Sequence, residues 1–190
     1  IAALRSHGTP LAQAAAACSG LPAPPGRMEA VGPAGTNPLV LVDYAHTPDG
    51  LAQALAALRP VALARGGQLW CVFGCGGDRD ASKRPLMGSM AGLHADQIVV
   101  TSDNPRSESP EAIVAAMVQG LSRPQSVHIQ LDRALAIAQV LAQAAAQDVV
   151  LVAGKGHETE QDIMGVRHPF SDVSHVRKAL QQRTAQFQGD

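Results

Sequence analysis

Four short polar clusters hold most of the residues able to do chemistry: Asp43-Tyr-Ala-His-Thr-Pro-Asp49, Gly74-Cys-Gly-Gly-Asp-Arg-Asp80, Ser102-Asp-Asn-Pro-Arg-Ser107 and Gly154-Lys-Gly-His-Glu158. Arg79 and Arg106 are the most informative, because a guanidinium at the end of a strand can fork onto a carboxylate or a phosphate. A salt bridge to Asp78 or Asp103 is the plainer reading of both, and Asp103 could simply close an Asx turn. His46, His157 and Glu158 are acid-base or metal-ligand types, but no close histidine pair supports a dedicated metal site, so no metal ligand is assigned. The glycines exclude more than they establish. In Gly74-Cys-Gly76-Gly77 the third glycine of a dinucleotide fingerprint falls on Arg79, and no G-x-x-x-x-G-K-[ST] spacing accompanies Gly154-Lys-Gly156, so a nicotinamide site is disfavoured and the chain lacks its own phosphate loop. Tight turns at positive φ are the alternative explanation of both glycine clusters.

Each cluster follows an apolar run of strand length. The pattern predicts strands at 39–43, 68–73, 97–101, 127–131 and 149–153, alternating with helices at 49–64, 83–94, 110–121, 132–147 and 172–188. Runs of Val, Leu and Ile without polar interruption suit strands covered by helices on both faces. The expected class is therefore α/β, a Rossmann-like, three-layer domain with a mostly parallel sheet. In such a sheet ligands bind beyond the carboxyl ends of the strands, and four strand ends then bring the four clusters to one cleft. Thr47-Pro-Asp49 and Ser109-Pro-Glu111 each place a capping side chain before a proline suited to the first helical turn. The first 20 residues are Ala-rich and helical in pattern, and the proline-rich 21–27 reads as a linker.

Composition narrows the partners. At 190 residues the chain holds one domain plus an appendage. Hydrophobic residues make up 46% and charged residues 16%, a globular balance rather than a disordered one. A net charge of -1 and 3% aromatics give neither the basic excess nor the stacking surfaces that nucleic acid requires. No nucleic-acid partner is expected. Runs such as Val149-Val-Leu-Val-Ala153 fall far short of the roughly 20 residues that span a bilayer, so no membrane insertion is expected. Trp70 and Phe73 read as core. Cys18, Cys71 and Cys75, without a second pair at zinc spacing, fit a reducing compartment. The opening Ile1-Ala-Ala-Leu-Arg5 suggests a piece of a longer protein without a signal peptide.

In combination and in this order, the four clusters, with Val72-Phe73 before the second and Lys83-Arg-Pro-Leu-Met87 after it, resemble the Mur ligases. More narrowly they are similar to the MurE type, the UDP-N-acetylmuramoyl-tripeptide synthetases of peptidoglycan assembly. The resemblance implies that residues 1–25 are the tail of a central ATPase domain and its linker, and that 26–190 form the C-terminal, amino-acid-binding domain. It implies a cytoplasmic ligase in which ATP, with Mg²⁺, activates the D-glutamate carboxylate of UDP-N-acetylmuramoyl-L-alanyl-D-glutamate as an acyl phosphate. The amine of meso-diaminopimelate then attacks. The phosphate loop and the activating residues would lie in the N-terminal and central domains of the same protein, leaving this piece inactive alone.

By motif match, Arg79, Asp103, Asn104, Pro105, Arg106, Gly154 and Glu158 fall on positions that hold the incoming amino acid. Asp43, Tyr44 and His46 match the segment facing ATP. Lys83 and Arg84 either assist phosphate or carboxylate binding or simply open a solvated helix. The far end of diaminopimelate bears an ammonium and a carboxylate, so Arg106 could fork the carboxylate while Asp103 or Glu158 takes the ammonium. Lysine lacks that carboxylate. A buried Arg106 left unpaired would cost on the order of 3–5 kcal/mol, so strong rejection of lysine is expected. The alternatives are a lysine-adding or folylpolyglutamate-type ligase, or a non-catalytic small-molecule-binding module of the same fold.

Overall fold

A computed structural model describes residues 2–19, 24–32, 37–122 and 127–187. Five strands run parallel: β2 (Leu39–Asp43), β3 (Leu69–Phe73), β4 (Gln97–Val100), β5 (Val127–Ile129) and β6 (Val149–Ala153). A short β1 (Glu29–Val31) pairs antiparallel with β2 at one edge, giving the order β1-β2-β6-β3-β4-β5. β6 is inserted between β2 and β3, with Val40 opposite Val150 on one side and Leu69 opposite Val149 on the other. The chain leaves β2, β3 and β4 through helices on one face of the sheet and β5 and β6 through helices on the other, so a crevice opens at the carboxyl ends beside β6.

Two apolar cores flank the sheet, as period-two alternation demands. Leu41, Cys71, Phe73 and Leu151 face α3 (Pro48–Arg65), α4 (Lys83–His94) and α5 (Pro110–Val118). Val42, Trp70, Val72 and Val152 face the opposite layer of α6 (Arg133–Gln143) and α7 (Asp172–Phe187). Each such side chain contributes about 1.5–3 kcal/mol by leaving water. The expected three-layer α/β fold is the one observed, and Trp70 and Phe73 are in its core.

The two anticipated caps form, Thr47 Oγ1 accepting from Gly50 N at 3.2 Å and Ser109 Oγ from Ala112 N at 3.3 Å. Two helices end earlier than their patterns suggest. α5 stops at Val118 ahead of a turn at Gly120, where a Cβ would collide with the Pro85 carbonyl oxygen. α6 stops at Gln143 because the Asp148 carboxylate takes the Ala145 N–H at 2.8 Å.

The N-terminal helical stretch is divided. α1 (Ala2–Ser6) and α2 (Leu11–Ser19) are separated at Gly8, whose φ is +83°, and α1 buries none of its residues. Of the expected linker, 21–23 lie outside the described residues. Two elements have no counterpart in the sequence reading: β1, and a hairpin of β7 (Glu160–Ile163) and β8 (Val166–Pro169). Among the described residues no helix is long and apolar enough to cross a membrane.

Candidate functional site

Beyond β3, β4 and β6 lies a polar cleft of about 330 Å³, lined by Arg79, Asn104, Arg106, Glu158, Thr159, Glu160, Asp162 and Arg167. The loop after β3 packs so tightly on the loop after β4 that a Cβ on Gly77 would overlap the Pro105 carbonyl oxygen. Gly74 and Gly77 are thus required for close approach of backbone, since neither is at positive φ, while a Cβ on Gly76 would stand 2.8 Å from Arg106 Nη1. Gly154 differs: its φ is +118°, and a Cβ there would stand 3.0 Å from Asp103 Oδ2.

Arg106 is itself left-handed, with φ +51°, a conformation that strains a non-glycine residue. The hairpin holds it there. Arg106 N donates to Asp162 O at 3.0 Å and Met164 N donates to Arg106 O at 2.7 Å. Its guanidinium Nη1 donates to Gly77 O at 2.7 Å. The plain reading of Arg79 and Arg106 as structural ion pairs is not what forms: neither meets a carboxylate within salt-bridge distance among the described residues. Asp78 instead accepts from Ser107 Oγ and N, bonds that hold its carboxyl below the usual carboxylate range.

The two candidate acids separate. Asp103 is nearly fully buried behind the cleft, where burial pushes its carboxyl upward against the opposing charges of Arg133 and Lys155. Glu158 lines the cleft. Burial would raise its carboxyl too, but hydrogen bonds from Lys155 Nζ (2.8 Å) and Asn104 Nδ2 (2.9 Å), with the charge of Arg106, hold it below the ordinary glutamate value. Of the two, Glu158 is the ionised acceptor facing the cleft. Pro105 and Gly154 shape the walls without lining it.

Behind the cleft sits a fully buried Arg133. Its Nε and Nη2 fork onto Asp172 at 2.7 and 2.8 Å, Nη2 also reaches Ala153 O at 2.9 Å, and Nη1 reaches Ser102 O at 3.3 Å. One guanidinium thus joins the exits of β4 and β6 to the start of α7. Arg84 plays a similar part nearer the surface, pairing with Glu108 at 2.8 Å beneath the β3 loop. That answers its open assignment: Arg84 is buried and engaged, not a solvated helix start.

The second expected group gathers elsewhere. Tyr44 packs against His46 (centroids 4.6 Å apart) and His157 (5.6 Å), with the Arg27 guanidinium 4.8 Å over its ring. Lys83 Nζ donates to His46 O at 3.0 Å. Asp43 is turned inward, its two oxygens accepting from Ala45 N and Met28 N at 2.8 Å each. It ties the segment entering the domain to the end of β2, leaving Tyr44 and His46 as the accessible members.

Sequence reasoning did not find Lys155, Arg133 and Asp172, or Glu160, Asp162 and Arg167 of the hairpin. The hairpin had one signal, Gly165 in a two-residue turn. Met164 and Gly165 both have positive φ, the geometry of a type I′ connection.

Comparison with known proteins fits this arrangement. The profile of the Mur ligase, glutamate ligase domain, matches residues 26–156. The chain belongs to the Mur ligase family. Among Mur ligase relatives, a UDP-N-acetylmuramoyl-L-alanyl-D-glutamate--2,6-diaminopimelate ligase of Acidovorax sp. (strain JS42) is 60% identical over 96% of this chain, and one of Chromobacterium violaceum 52% over 95%. A solved structure of a ligase of that name superposes with a TM-score of 0.77 at 46% identity, covering 97% of this chain and 37% of that one. A bifunctional folylpolyglutamate synthase/dihydrofolate synthase aligns over 84% of this chain and 32% of its own, with a TM-score of 0.57 at 24% identity, a likeness of fold alone. The chain spans about a third of the length of the curated Mur ligases it matches, 36% in both relatives cited.

Proposed function

We propose that residues 26–190 are the amino-acid-binding domain of an ATP-dependent ligase that joins meso-diaminopimelate to UDP-N-acetylmuramoyl-L-alanyl-D-glutamate. Residues 1–25 are then the tail of a preceding ATPase domain with its linker. The observation that carries this reading is the charge layout of the cleft. Among the described residues Arg79 and Arg106 lack carboxylate partners, and they share a cleft of about 330 Å³ with Glu158, whose carboxyl is held below the ordinary glutamate value, and with Glu160 and Asp162 nearer the hairpin. Such a site suits a ligand end with both a carboxylate and an ammonium. Arg106 and Arg79 take the carboxylate, Glu158 the ammonium, and Asn104 adds an N–H. The distal amine is thereby held in place while the reacting amine points out of the domain toward the acyl phosphate.

Tyr44 and His46, flanked by Arg27, Lys83 and His157, form the surface that would meet ATP when the missing domains close over this one. Mg²⁺ is implied by the family, but among the described residues no three His, Cys, Asp or Glu side chains converge to hold a metal. The part proposed for this domain is binding and orientation.

The strong expected penalty against lysine is corrected downward, because Arg106 is half-buried and bonded to Gly77 O rather than enclosed. Losing its charge-assisted bonds is worth about 1.5–3 kcal/mol, or roughly 10- to 100-fold. The test is a ligation assay on the full-length protein with diaminopimelate and lysine in parallel. Arg106→Ala should lower kcat/KM for diaminopimelate by that factor and bring the two amino acids together. An Arg106→Ala enzyme that still prefers diaminopimelate as the parent does would overturn the assignment.

A further inference from the structure

Lys155 of the fourth cluster has unusual surroundings. The side chain is wholly buried between Gly154 and Gly156 at positive φ, yet it ends in a charge. Nζ donates to Asn104 Oδ1 at 3.0 Å and to Glu158 Oε2 at 2.8 Å, and stands 3.7 Å from Asp103 Oδ1. The two acceptors and the nearby Asp103 carboxylate all belong to the two loops that bound the cleft. Burying an ammonium is costly, and it is tolerated where hydrogen bonds and opposing charge offset the lost water.

The consequence falls on Asn104. A carboxamide can present an oxygen acceptor or a nitrogen donor, and its two orientations are nearly isosteric. Here Oδ1 takes the Lys155 ammonium and the Asp162 N–H at 3.0 Å, so Nδ2 is driven toward Glu158 and the cleft. The reverse orientation would set an NH₂ group against an ammonium. Glu158 is fixed by the same contact: Oε2 takes both Lys155 and Asn104, while no hydrogen bond among the described residues occupies Oε1.

We propose that Lys155 is a positioning residue that sets the polarity of the amino-acid cleft, turning Asn104 to offer a donor to the ligand's carboxylate and holding Glu158 as the acceptor for its ammonium. Lys155 does not line the cleft, so it acts through these two side chains. The proposal rests on the binding of diaminopimelate proposed above, and names the residue that makes the site selective for a zwitterionic end rather than merely polar.

The test uses the full-length protein with Lys155→Met, which preserves chain length and removes the charge. KM for diaminopimelate should rise about 10- to 100-fold, the scale of lost charge-assisted hydrogen bonds, while kcat at saturation and KM for ATP change less than about threefold. The pH profile adds a readout that loose packing would not produce. Glu158 faces Lys155, Asn104 and Arg106 directly, Arg79, Arg167, Glu160 and Asp162 across the cleft, and Asp103 and Arg133 behind it. Without the Lys155 ammonium, burial acts on its carboxyl with less opposition. KM of the variant should then climb as pH falls below neutrality, while that of the parent stays flat.

Asn104→Asp is the second variant. It keeps acceptors for Lys155 and Asp162 N but replaces the donor facing the cleft with an oxygen, and should raise KM at least as much. It decides the matter if Lys155→Met does not fold. Unchanged KM with a flat pH profile in Lys155→Met, or unchanged KM in Asn104→Asp, overturns the proposal. An intact enzyme that ligates lysine and not diaminopimelate overturns the substrate reading instead, and the same comparison of KM values on lysine then decides the role of Lys155.

Discussion

The two ends of the parallel sheet use similar groups to opposite effect. At the amino-terminal edge, Asp148 accepts from Gln68 N, Trp70 Nε1 and Ala145 N at 2.8–2.9 Å, and Asp96 accepts from Leu69 N at 2.7 Å and Arg59 Nη1 at 2.6 Å. Both join strand starts to neighbouring segments and do not line the polar cleft. At the carboxyl edge, Glu158 takes two bonds on one oxygen, and among the described residues Arg79 and Arg106 meet no carboxylate within salt-bridge distance. A saturated charge holds a fold together, whereas an unsaturated one held rigid by its neighbours is available to a ligand. The same residue types thus divide into frame and site according to whether their partners are already present.

The sharpest way to break that division is Asp148→Ala. It strands an indole N–H and two backbone N–H groups at the buried edge, which should cost about 3 kcal/mol or more of stability. Thermal unfolding would show the loss, while KM for the amino acid in the full-length enzyme should stay within twofold. A large rise in KM with unchanged unfolding would mean the amino-terminal edge is not mere frame.

A smaller effect is expected at Asp96, which is more exposed than Asp148. Burial raises its carboxyl, but the Arg59 guanidinium and the Leu69 N–H outweigh burial and hold it below the usual range. A folded-state value below the unfolded one near 3.9 means that its contribution is complete above that pH and is lost as pH falls through the lower folded value. Asp96→Ala should cost about 1 kcal/mol at neutral pH. Stability curves of parent and variant should converge on acidification below about pH 4, and parallel curves down to pH 2 would contradict the assignment.

The division between frame and site also separates what the sequence made legible from what it did not. The parallel strands, the helices covering them and the convergence of the clusters after β3, β4 and β6 follow from local periodicity and from the alternation of strand and helix, and both are visible along the chain. The first cluster, expected in the same cleft, does not line it and gathers around Tyr44 instead. Arg133 and Asp172 are not. They lie 39 residues apart, on the first turns of two helices, and only tertiary packing makes them a buried fork. β1 was missed because three residues give no alternation to count. The hairpin was missed because β7 and β8 are mostly polar and exposed, so no core face marks them. Asp103 was paired with Glu158 as an alternative acid because sequence cannot say which of two carboxylates faces out. Their burial decides it.

The hairpin supplies the smallest and most delicate test. Arg167 reaches Glu160 at 3.3 Å on the exposed rim of the cleft, with 73% and 54% of the two side chains accessible. An ion pair so wet contributes little to folding, so Arg167→Ala should leave the unfolding midpoint unmoved. As the third guanidinium around the cleft it still adds to the positive field met by an incoming carboxylate. The variant should therefore raise KM for diaminopimelate by about two- to fivefold at low ionic strength, with the difference fading as salt is added. A loss as large as that of Arg106→Ala, insensitive to salt, would show that Arg167 swings in to bind the ligand directly. The site would then include a mobile rim as well as a rigid floor, and the contrast between the two edges of the sheet would hold only before the ligand arrives.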